Sequence, residues 1–183
     1  EEKLDVLNVD AGNDYRRVQM AQVEAYLTPV NAETQATLGQ MFQTLIGNQP
    51  ETPNPVLHIE SRELKPLHMA DGVVWFDFQT LCCGPRSQND YLEIANQFHT
   101  VMLSDVPYMP PKMASEARRF TWLIDVFYDH KVKLIISAEV AAELLYTEGQ
   151  MANEFHRTVS RIIEMQSKEY LEAPRRIVDT RLT

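Results

Sequence analysis

The sequence predicts an α/β protein with a mixed sheet, because two short apolar runs lie on either side of a helical pattern. The runs fall near residues 100–104 and 133–137, which suits buried strands. Between them, from about Ser115, apolar residues recur on one helical face. They are Ala117, Phe120, Leu123, Ile124 and Phe127. A strand, a helix and a second strand make a βαβ unit, so we expect parallel strands with a right-handed crossover and flanking helices.

The first part of the chain predicts two short extended segments and one helix. Residues 4–9 alternate like a strand, and a second extended segment is expected at residues 23–27. Asn31 can cap the N-terminus of a helix that runs to about Ile46, and Gly47 ends it. The apolar stripe of this helix consists of Leu38, Met41, Phe42 and Leu45.

A proline-rich segment divides the chain. Residues 47–55 contain three prolines, which predicts a loop or linker and excludes a helix or a central strand. We therefore expect three regions: residues 1–47, a linker at 48–55, and a C-terminal α/β domain at 56–183.

The second part predicts further strands and helices. A hairpin is expected from residues 56–59 and 63–67, and residues 73–78 form a strand or the start of one. Ser87 and Asp90 resemble a capping box that opens a helix to about Gln97. Pro107, Pro110 and Pro111 predict a rigid loop after the strand near 100–104. A last helix is expected at residues 153–170, with four apolar residues inward: Phe155, Val159, Ile162 and Ile163.

Composition narrows the class of protein. The net charge of -9 argues against a general nucleic-acid binder, although Arg175 and Arg176 form one small basic patch. Cys82 and Cys83 are too few and too close for a metal site. Two buried thiols in a reducing compartment are favoured over a strained vicinal disulfide. No membrane span or signal peptide is visible, so a soluble intracellular protein is expected. The start at Glu1 without a methionine is typical of a processed or truncated piece.

The familiar catalytic motifs are missing from the sequence. The six glycines form neither a phosphate loop nor a dinucleotide-binding loop, and no nucleophile elbow occurs. Ser104 and Ser137 end the two predicted strands, but neither has an evident base. His99 precedes a strand and is interpreted as a core histidine. We therefore expect no complete catalytic site, so that residues outside this chain would complete any chemistry.

Two carboxylates deserve comparison because they end neighbouring predicted strands. Asp105 and Glu139 would lie at the carboxyl edge of the sheet, where ligands of α/β proteins bind. They could bind a cation or polarise water. The favoured interpretation is structural, with the carboxylates bonded to helix N-termini.

Four arginines have both a structural and a functional interpretation. Arg118 and Arg119 begin a helix, where a positive charge opposes the helix dipole, so a carboxylate partner or a function is expected. Arg157 and Arg161 are one turn apart. An exposed salt-bridge ladder with the neighbouring glutamates 154 and 164 is favoured over a cation that reaches a neighbouring subunit's nucleotide.

Seven segments together resemble one family. They are Asn-Val-Asp-Ala-Gly-Asn-Asp-Tyr-Arg at 8–16, Tyr-Leu-Thr-Pro at 26–29, Pro-Arg-Ser-Gln-Asn-Asp-Tyr at 85–91, Phe-His-Thr-Val-Met-Leu-Ser-Asp-Val-Pro at 98–107, Ala-Arg-Arg-Phe at 117–120, Val-Lys-Leu-Ile-Ile-Ser-Ala-Glu-Val at 132–140 and Ser-Arg-Ile-Ile-Glu-Met-Gln-Ser-Lys-Glu-Tyr-Leu at 160–171. In this order they resemble the C-terminal half of the ZapE family, which are bacterial cell division ATPases of the AAA+ class with AFG-type relatives in mitochondria.

The resemblance implies a function that this chain would only partly carry. The family hydrolyses ATP with Mg²⁺ at Walker A and Walker B residues upstream of this segment, so the chain alone is expected to be inactive. It would serve assembly, regulation or partner binding. The implied partners are FtsZ, the upstream AAA+ core and further copies of the protein, and the implied location is the cytoplasm at the division site.

The resemblance also gives residues 1–47 and four arginines a place. Residues 1–47 would be the end of the AAA+ core and the following helix. The strand at 4–9 would then need an alternative partner or another chain, or it would be disordered. Arg16 matches the family's Asp-Tyr-Arg run, whereas Arg17 and Val18 depart from it. The candidates for nucleotide contact are Arg16, Arg118, Arg119 and Arg161. Two other functions stay open: a stand-alone protein-interaction module, and a small hydrolase that uses Asp105 or Glu139.

Overall fold

A five-stranded mixed sheet is the central element of the computed structural model, which describes residues 24–175. The strands are β1 Tyr26–Leu27, β2 Leu57–Ile59, β3 Arg62–Leu64, β4 His68–Ala70, β5 Val73–Asp77, β6 Thr100–Val106 and β7 Lys133–Ala138. The helices are α1 Ala32–Ile46, α2 Phe78–Cys82, α3 Gln88–Gln97, α4 Ala114–Asp129, α5 Phe155–Met165 and α6 Lys168–Glu172. Two 3-10 turns are Pro111–Met113 and Ala142–Leu144.

The sheet order confirms the predicted α/β class with a mixed sheet. The order is β1-β7-β6-β5-β4, in which β4 is antiparallel to β5 and the other neighbours are parallel. β6 and β7 lie side by side, with Thr100 opposite Lys133 and Leu103 opposite Ile136. The helix α4 connects them, which confirms the predicted parallel pair. The right-handed crossover stays a prediction from the general rule.

The two faces of the sheet are covered by different helices. Val74, Val101 and Leu134 belong to the larger core cluster, which includes buried residues of α2, α3, α4, α5 and the β2–β3 hairpin. Trp75 and Met102, which point to the opposite face, pack with buried residues of α1 in a second cluster. Strands that are covered on both faces read as continuous apolar runs, which explains the pattern of the sequence.

The first helix confirms its sequence prediction. The side chain of Asn31 accepts a hydrogen bond from the Thr34 amide at 2.8 Å, and Gly47, with a φ of 60°, ends the helix. Leu38 and Phe42 are buried against the sheet. α1 follows β1 directly, so this short strand places the helix across the second face.

The predicted capping box and hairpin are also present. Ser87 and Asp90 form both reciprocal contacts at the start of α3. The hairpin pairs Leu57 with Leu64 in antiparallel register, and its second strand ends earlier than predicted. The proline-rich loop is confirmed because no helix or strand lies between α1 and β2.

Residues before and after this loop contribute to one sheet. The domain boundaries proposed at the loop stay a prediction. The strand predicted at 4–9 lies outside the described residues. Within residues 24–27, the described part of the segment predicted at 23–27, the strand is Tyr26–Leu27.

The last predicted helix is wrong in two respects. It is two helices, because Ser167 caps a new one by accepting a hydrogen bond from the Tyr170 amide at 3.2 Å. Ile163 was expected to point inward, but it is 50% exposed. Its neighbour Ile162 faces the core, and one residue along a helix turns the side chain by about 100°. The buried positions of α5 leave Ile163 on the outer face.

The two cysteines are both free, as the favoured interpretation held. Cys82 is fully buried, whereas Cys83 is only half-buried, so the expectation of two buried thiols holds for Cys82 alone. Burial raises the pKa of both thiols, which disfavours the reactive thiolate. Within residues 24–175, no helix is long and apolar enough to cross a membrane.

We predict that Gly72→Ala destabilises the fold by about 2 kcal/mol or more. Gly72 has a φ of +80°, and an added Cβ would lie 2.5 Å from Nε2 of His99. The measurement is urea denaturation of both variants. Gly39→Ala is the matched control, since Gly39 lies in α1 with open space around it and an alanine there should stabilise by about 0.5–1 kcal/mol. Equal effects of the two substitutions would contradict the steric argument.

Candidate functional site

Three carboxylates mark the carboxyl edge of the parallel strands. Asp77 is the last residue of β5, Asp105 lies one residue before the end of β6, and Glu139 directly follows β7. This edge is where open α/β sheets bind ligands, so it is the first place to look for a site.

Asp105 lies in an irregular part of β6. Its φ is 63°, and the pairing of β6 with β7 shifts register between Leu103 and Val106. Its amide donates to Oγ of Ser137 at 3.0 Å, while its side chain is exposed. Partial burial raises the pKa of the Asp105 carboxyl, and the negative charge of Asp77 adds to this effect. Asp77 itself caps α2 by accepting the Thr80 amide at 2.8 Å.

Glu139 ties the loop after β6 to the end of β7. Its Oε2 accepts a hydrogen bond from the Tyr108 amide at 2.9 Å, and its own amide donates to the Val106 carbonyl at 2.9 Å. Asp105 and Glu139 therefore have separate local contacts. Across residues 24–175, no group of three or more His, Cys, Asp or Glu side chains is arranged to hold a metal ion. A catalytic role for the pair stays a prediction.

The two strand-end serines serve as hydrogen-bond acceptors inside the sheet. Oγ of Ser104 accepts from Nε1 of Trp75 at 3.0 Å, and Oγ of Ser137 accepts from the Asp105 amide. Both serines are buried. An indole N–H and a backbone N–H cannot take up a proton, so neither contact activates a nucleophile.

The candidate arginines differ in what they contact. Nη1 of Arg119 donates to the Cys82 carbonyl at 3.1 Å, at the end of α2. Arg118 is exposed and lines a small surface cavity together with Met151 and Glu154. Arg119 is thus engaged within the chain, whereas Arg118 is an exposed residue.

Arg161 corrects the predicted salt-bridge ladder. Its guanidinium pairs with Asp125 on α4 and lies 4.9 Å from the ring centroid of Tyr128. Glu164, an expected partner, instead accepts a hydrogen bond from the hydroxyl of Tyr128 at 2.7 Å. The prediction was wrong because it considered only neighbours on one helix, whereas α4 packs against α5 and supplies the partner. Arg157 is exposed. Arg16 and Arg176 lie outside the described residues.

Two buried charges were missed by the sequence analysis. The Arg62 guanidinium contacts both carboxylate oxygens of Asp90 at 2.7 and 2.6 Å, and Asp90 is 1% exposed. Lys133 is 7% exposed, and its Nζ donates to the carbonyls of Tyr170 and Ala173 at 2.5 Å each. The position of Asp90 in the predicted capping box was a signal for the first buried charge. Nothing in the local sequence indicated that Lys133 would be buried.

The residues around the start of α1 do not form a suitable binding site for a nucleoside triphosphate. A cavity of about 300 Å³ lies there, and two carboxylates, Glu24 and Glu33, line it. The amide of Thr34 is already occupied by Asn31. Phosphate sites at helix N-termini need free amides and no nearby negative charge. The cavity at the start of α1 is therefore a poor site for the phosphates of ATP.

Comparison with known proteins gives a family and several relatives. The family model described as AFG1-like ATPase matches residues 1–174. A protein of Escherichia coli strain K12, cell division protein ZapE, is 44% identical over 168 residues, which cover 92% of this chain and 44% of that protein. The same protein of strain O157:H7 matches equally.

Two eukaryotic relatives are more distant. Lactation elevated protein 1 homolog B of Danio rerio is 31% identical over 199 residues, covering 90% of this chain and 40% of that protein. An uncharacterised protein of Schizosaccharomyces pombe is 27% identical over 203 residues, covering 95% and 45%. The chain spans less than half the length of the curated relatives it matches. No solved structure matches.

We predict that Arg62→Ala destabilises the chain by about 2–4 kcal/mol, because it leaves the buried Asp90 carboxylate without its cation. The measurement is chemical denaturation of the substituted and unsubstituted chains. Lys168→Ala is the matched control, since Lys168 is exposed and lies 3.9 Å from Glu172, and it should change stability little. A loss for Arg62→Ala no larger than that of the control would contradict a structural role for the Asp90 pair.

We predict that Asp105→Asn raises the melting temperature slightly at pH 7, on the order of 1 °C. The folded chain holds the Asp105 proton more tightly than the unfolded chain, so ionised Asp105 destabilises the fold. This loss of stability develops as pH rises from the unfolded pKa of about 4 through the folded pKa. Asparagine tolerates the positive φ of this position. Thermal melts at pH 7 and at about pH 3 check this prediction. The melting temperatures of Asp105→Asn and of the unsubstituted chain should converge at the lower pH. A gain that persists at the lower pH would have another cause.

Proposed function

Because this chain belongs to the AFG1-like ATPase family, we propose that it is the C-terminal part of an AAA+ protein that hydrolyses ATP and acts on the FtsZ ring during cell division. The match over residues 1–174 carries the proposal. The name of the Escherichia coli relative supports the division role, since 92% of this chain aligns with it at 44% identity. The chain would contribute assembly, regulation or partner binding to that activity.

The proposed division of labour assigns ATP and Mg²⁺ to Walker residues outside this chain. The two carboxylates that line the cavity at the start of α1 support it, since phosphates would need free amides there. Further copies and the AAA+ core would be its partners within the assembly, and FtsZ its partner at the division site in the cytoplasm.

The arginines divide into two groups under this proposal. Arg118 is exposed, so it is the candidate to reach a nucleotide held by a neighbouring subunit. Arg119 and Arg161 already bind Cys82 and Asp125, so their main effect would be to hold α4 in place. Arg16 remains a candidate for nucleotide contact.

We expect Arg118→Ala to lower kcat for ATP hydrolysis at least tenfold in the protein that joins this chain to its nucleotide-binding core. A cation that acts on transition-state charge affects kcat more than KM. Steady-state ATP turnover is the measurement, with Lys168→Ala as the control. Arg119→Ala and Arg161→Ala should instead lower the melting temperature. Turnover that Arg118→Ala leaves unchanged would remove this residue from the chemistry.

A stand-alone interaction module is the second candidate function. The exposed groove described in the next subsection favours it. Titration calorimetry of the chain with ATP and Mg²⁺ should show no tight binding, and co-sedimentation with FtsZ polymers should show binding of the chain. Tight ATP binding would contradict the proposal that the phosphate site lies elsewhere. FtsZ binding by this chain in the absence of the ATPase core would favour the interaction module. A small hydrolase that uses Asp105 or Glu139 has less support, because Glu139 is engaged by the Tyr108 amide.

A further inference from the structure

An open groove of about 710 Å³ lies between the proline-rich loop and the segment that leads into β4. Residues 51–56 form one wall and residues 65–68 the other, and we call it the proline groove. Its volume is within the range of sites that bind small molecules or short peptide segments. The residues that line it are different from those at the carboxyl edge of the sheet.

The loop wall of the groove is held in place by the chain itself. The amide of Thr52 donates to the carbonyl of Met69 at 2.7 Å, which fastens the loop to the edge of β4. Pro53 and Pro55 have fixed φ angles and few alternative conformations. The groove is therefore formed before any partner arrives, which lowers the entropic cost of binding.

A second contact fastens the end of the groove. The carboxylate of Glu51 is bonded to Nδ1 of His68. The ring of His68 lies against two aromatic rings of the second core cluster, with centroid distances of 5.3 Å to Phe42 and 4.9 Å to Trp75. The Glu51 carboxylate is thus already hydrogen-bonded to a side chain of the opposite wall.

The groups left unused in the groove are apolar side chains and one cation. Val56 is 38% exposed and Leu67 is 43% exposed, one on each wall. Lys65 is exposed and makes no ion pair with any residue between 24 and 175. The Glu51 carboxylate is held by His68, so the charged group of the groove that is open to a ligand is the Lys65 ammonium. The complementary ligand carries apolar groups and a negative charge.

We propose that the proline groove binds one extended peptide segment of a partner protein, with apolar side chains that contact Val56 and Leu67 and a carboxylate that pairs with Lys65. Proline lacks an amide hydrogen, so Pro53 and Pro55 cannot hydrogen-bond a partner strand through N–H groups. Affinity would come from side-chain contacts in the groove, as in other recognition of extended peptides. The proposal rests on the partner-binding role suggested above and assigns it a surface.

The test is a selection of phage-displayed random dodecapeptides against the full chain, followed by fluorescence anisotropy of the enriched peptides. We expect enriched sequences to combine apolar and acidic residues. Leu67→Asp and Val56→Asp should weaken their binding at least tenfold. Lys65→Glu should weaken it as well, and replacing the acidic residue of the peptide by lysine should restore binding to that variant.

The matched controls are Ile163→Asp and Lys168→Glu, which change an exposed isoleucine and an exposed lysine on α5 and α6. Both should bind the peptides like the unsubstituted chain. Circular dichroism melts of all variants would show that each one folds. Enrichment of no peptide, or equal binding by Leu67→Asp and Ile163→Asp, would overturn the proposal. A dimer that Leu67→Asp converts to a monomer in sedimentation equilibrium would assign the groove to a second copy instead.

Co-sedimentation with FtsZ separates this inference from the proposed function. If the peptides bind in the groove but the chain does not co-sediment with FtsZ, the groove proposal stands and FtsZ is not the partner. FtsZ binding that survives Leu67→Asp, together with peptides that do not depend on the groove, would uphold the partner and contradict the groove.

Discussion

The parallel pairing of Thr100–Val106 with Lys133–Ala138 is the interaction on which the rest of the structure depends. All six residues of the second strand are buried, and in the first strand only Asp105 is exposed. A pair buried so completely needs cover on both faces, and the two faces are covered by separate sets of helices. The positions of α1, α4 and α5 follow from this requirement. The loops that leave the carboxyl edge inherit their positions from the same pair.

Buried charges connect the outer elements to this sheet. Lys133 lies at the start of the second strand. Its ammonium binds the carbonyls of Tyr170 in α6 and of Ala173 directly after it, where the negative end of a helix favours a cation. Asp90 joins the start of α3 to Arg62 of the hairpin. Much of the polar chemistry of the described residues thus serves the fold. Among the described residues, the exposed groups without such a partner include Arg118 and, in the proline groove, Lys65.

The accuracy of the sequence predictions depended on how local each signal is. The α1 cap at Asn31 and the capping box of Ser87 and Asp90 are set by residues three apart in the chain, and both were predicted correctly. The last helix was misjudged because the cap at Ser167 starts a new helix inside the range that was predicted as one helix. Ile163 fitted an apolar pattern that could not tell inner from outer faces without the position of α4.

The sequence by itself determined the βαβ unit, the caps of α1 and α3 and the family, since each is written in a continuous pattern or in ordered motifs. Only the tertiary structure decided which charged side chains are engaged. The partners of Asp90, Arg161 and Lys133 are 28, 36 and up to 40 residues away in the chain. An ion pair forms where the packing of helices and strands brings two groups within a few ångströms, and no local pattern encodes that distance. The role of the candidate arginines stays a prediction, and the separation of exposed Arg118 from the engaged Arg119 and Arg161 came from the fold.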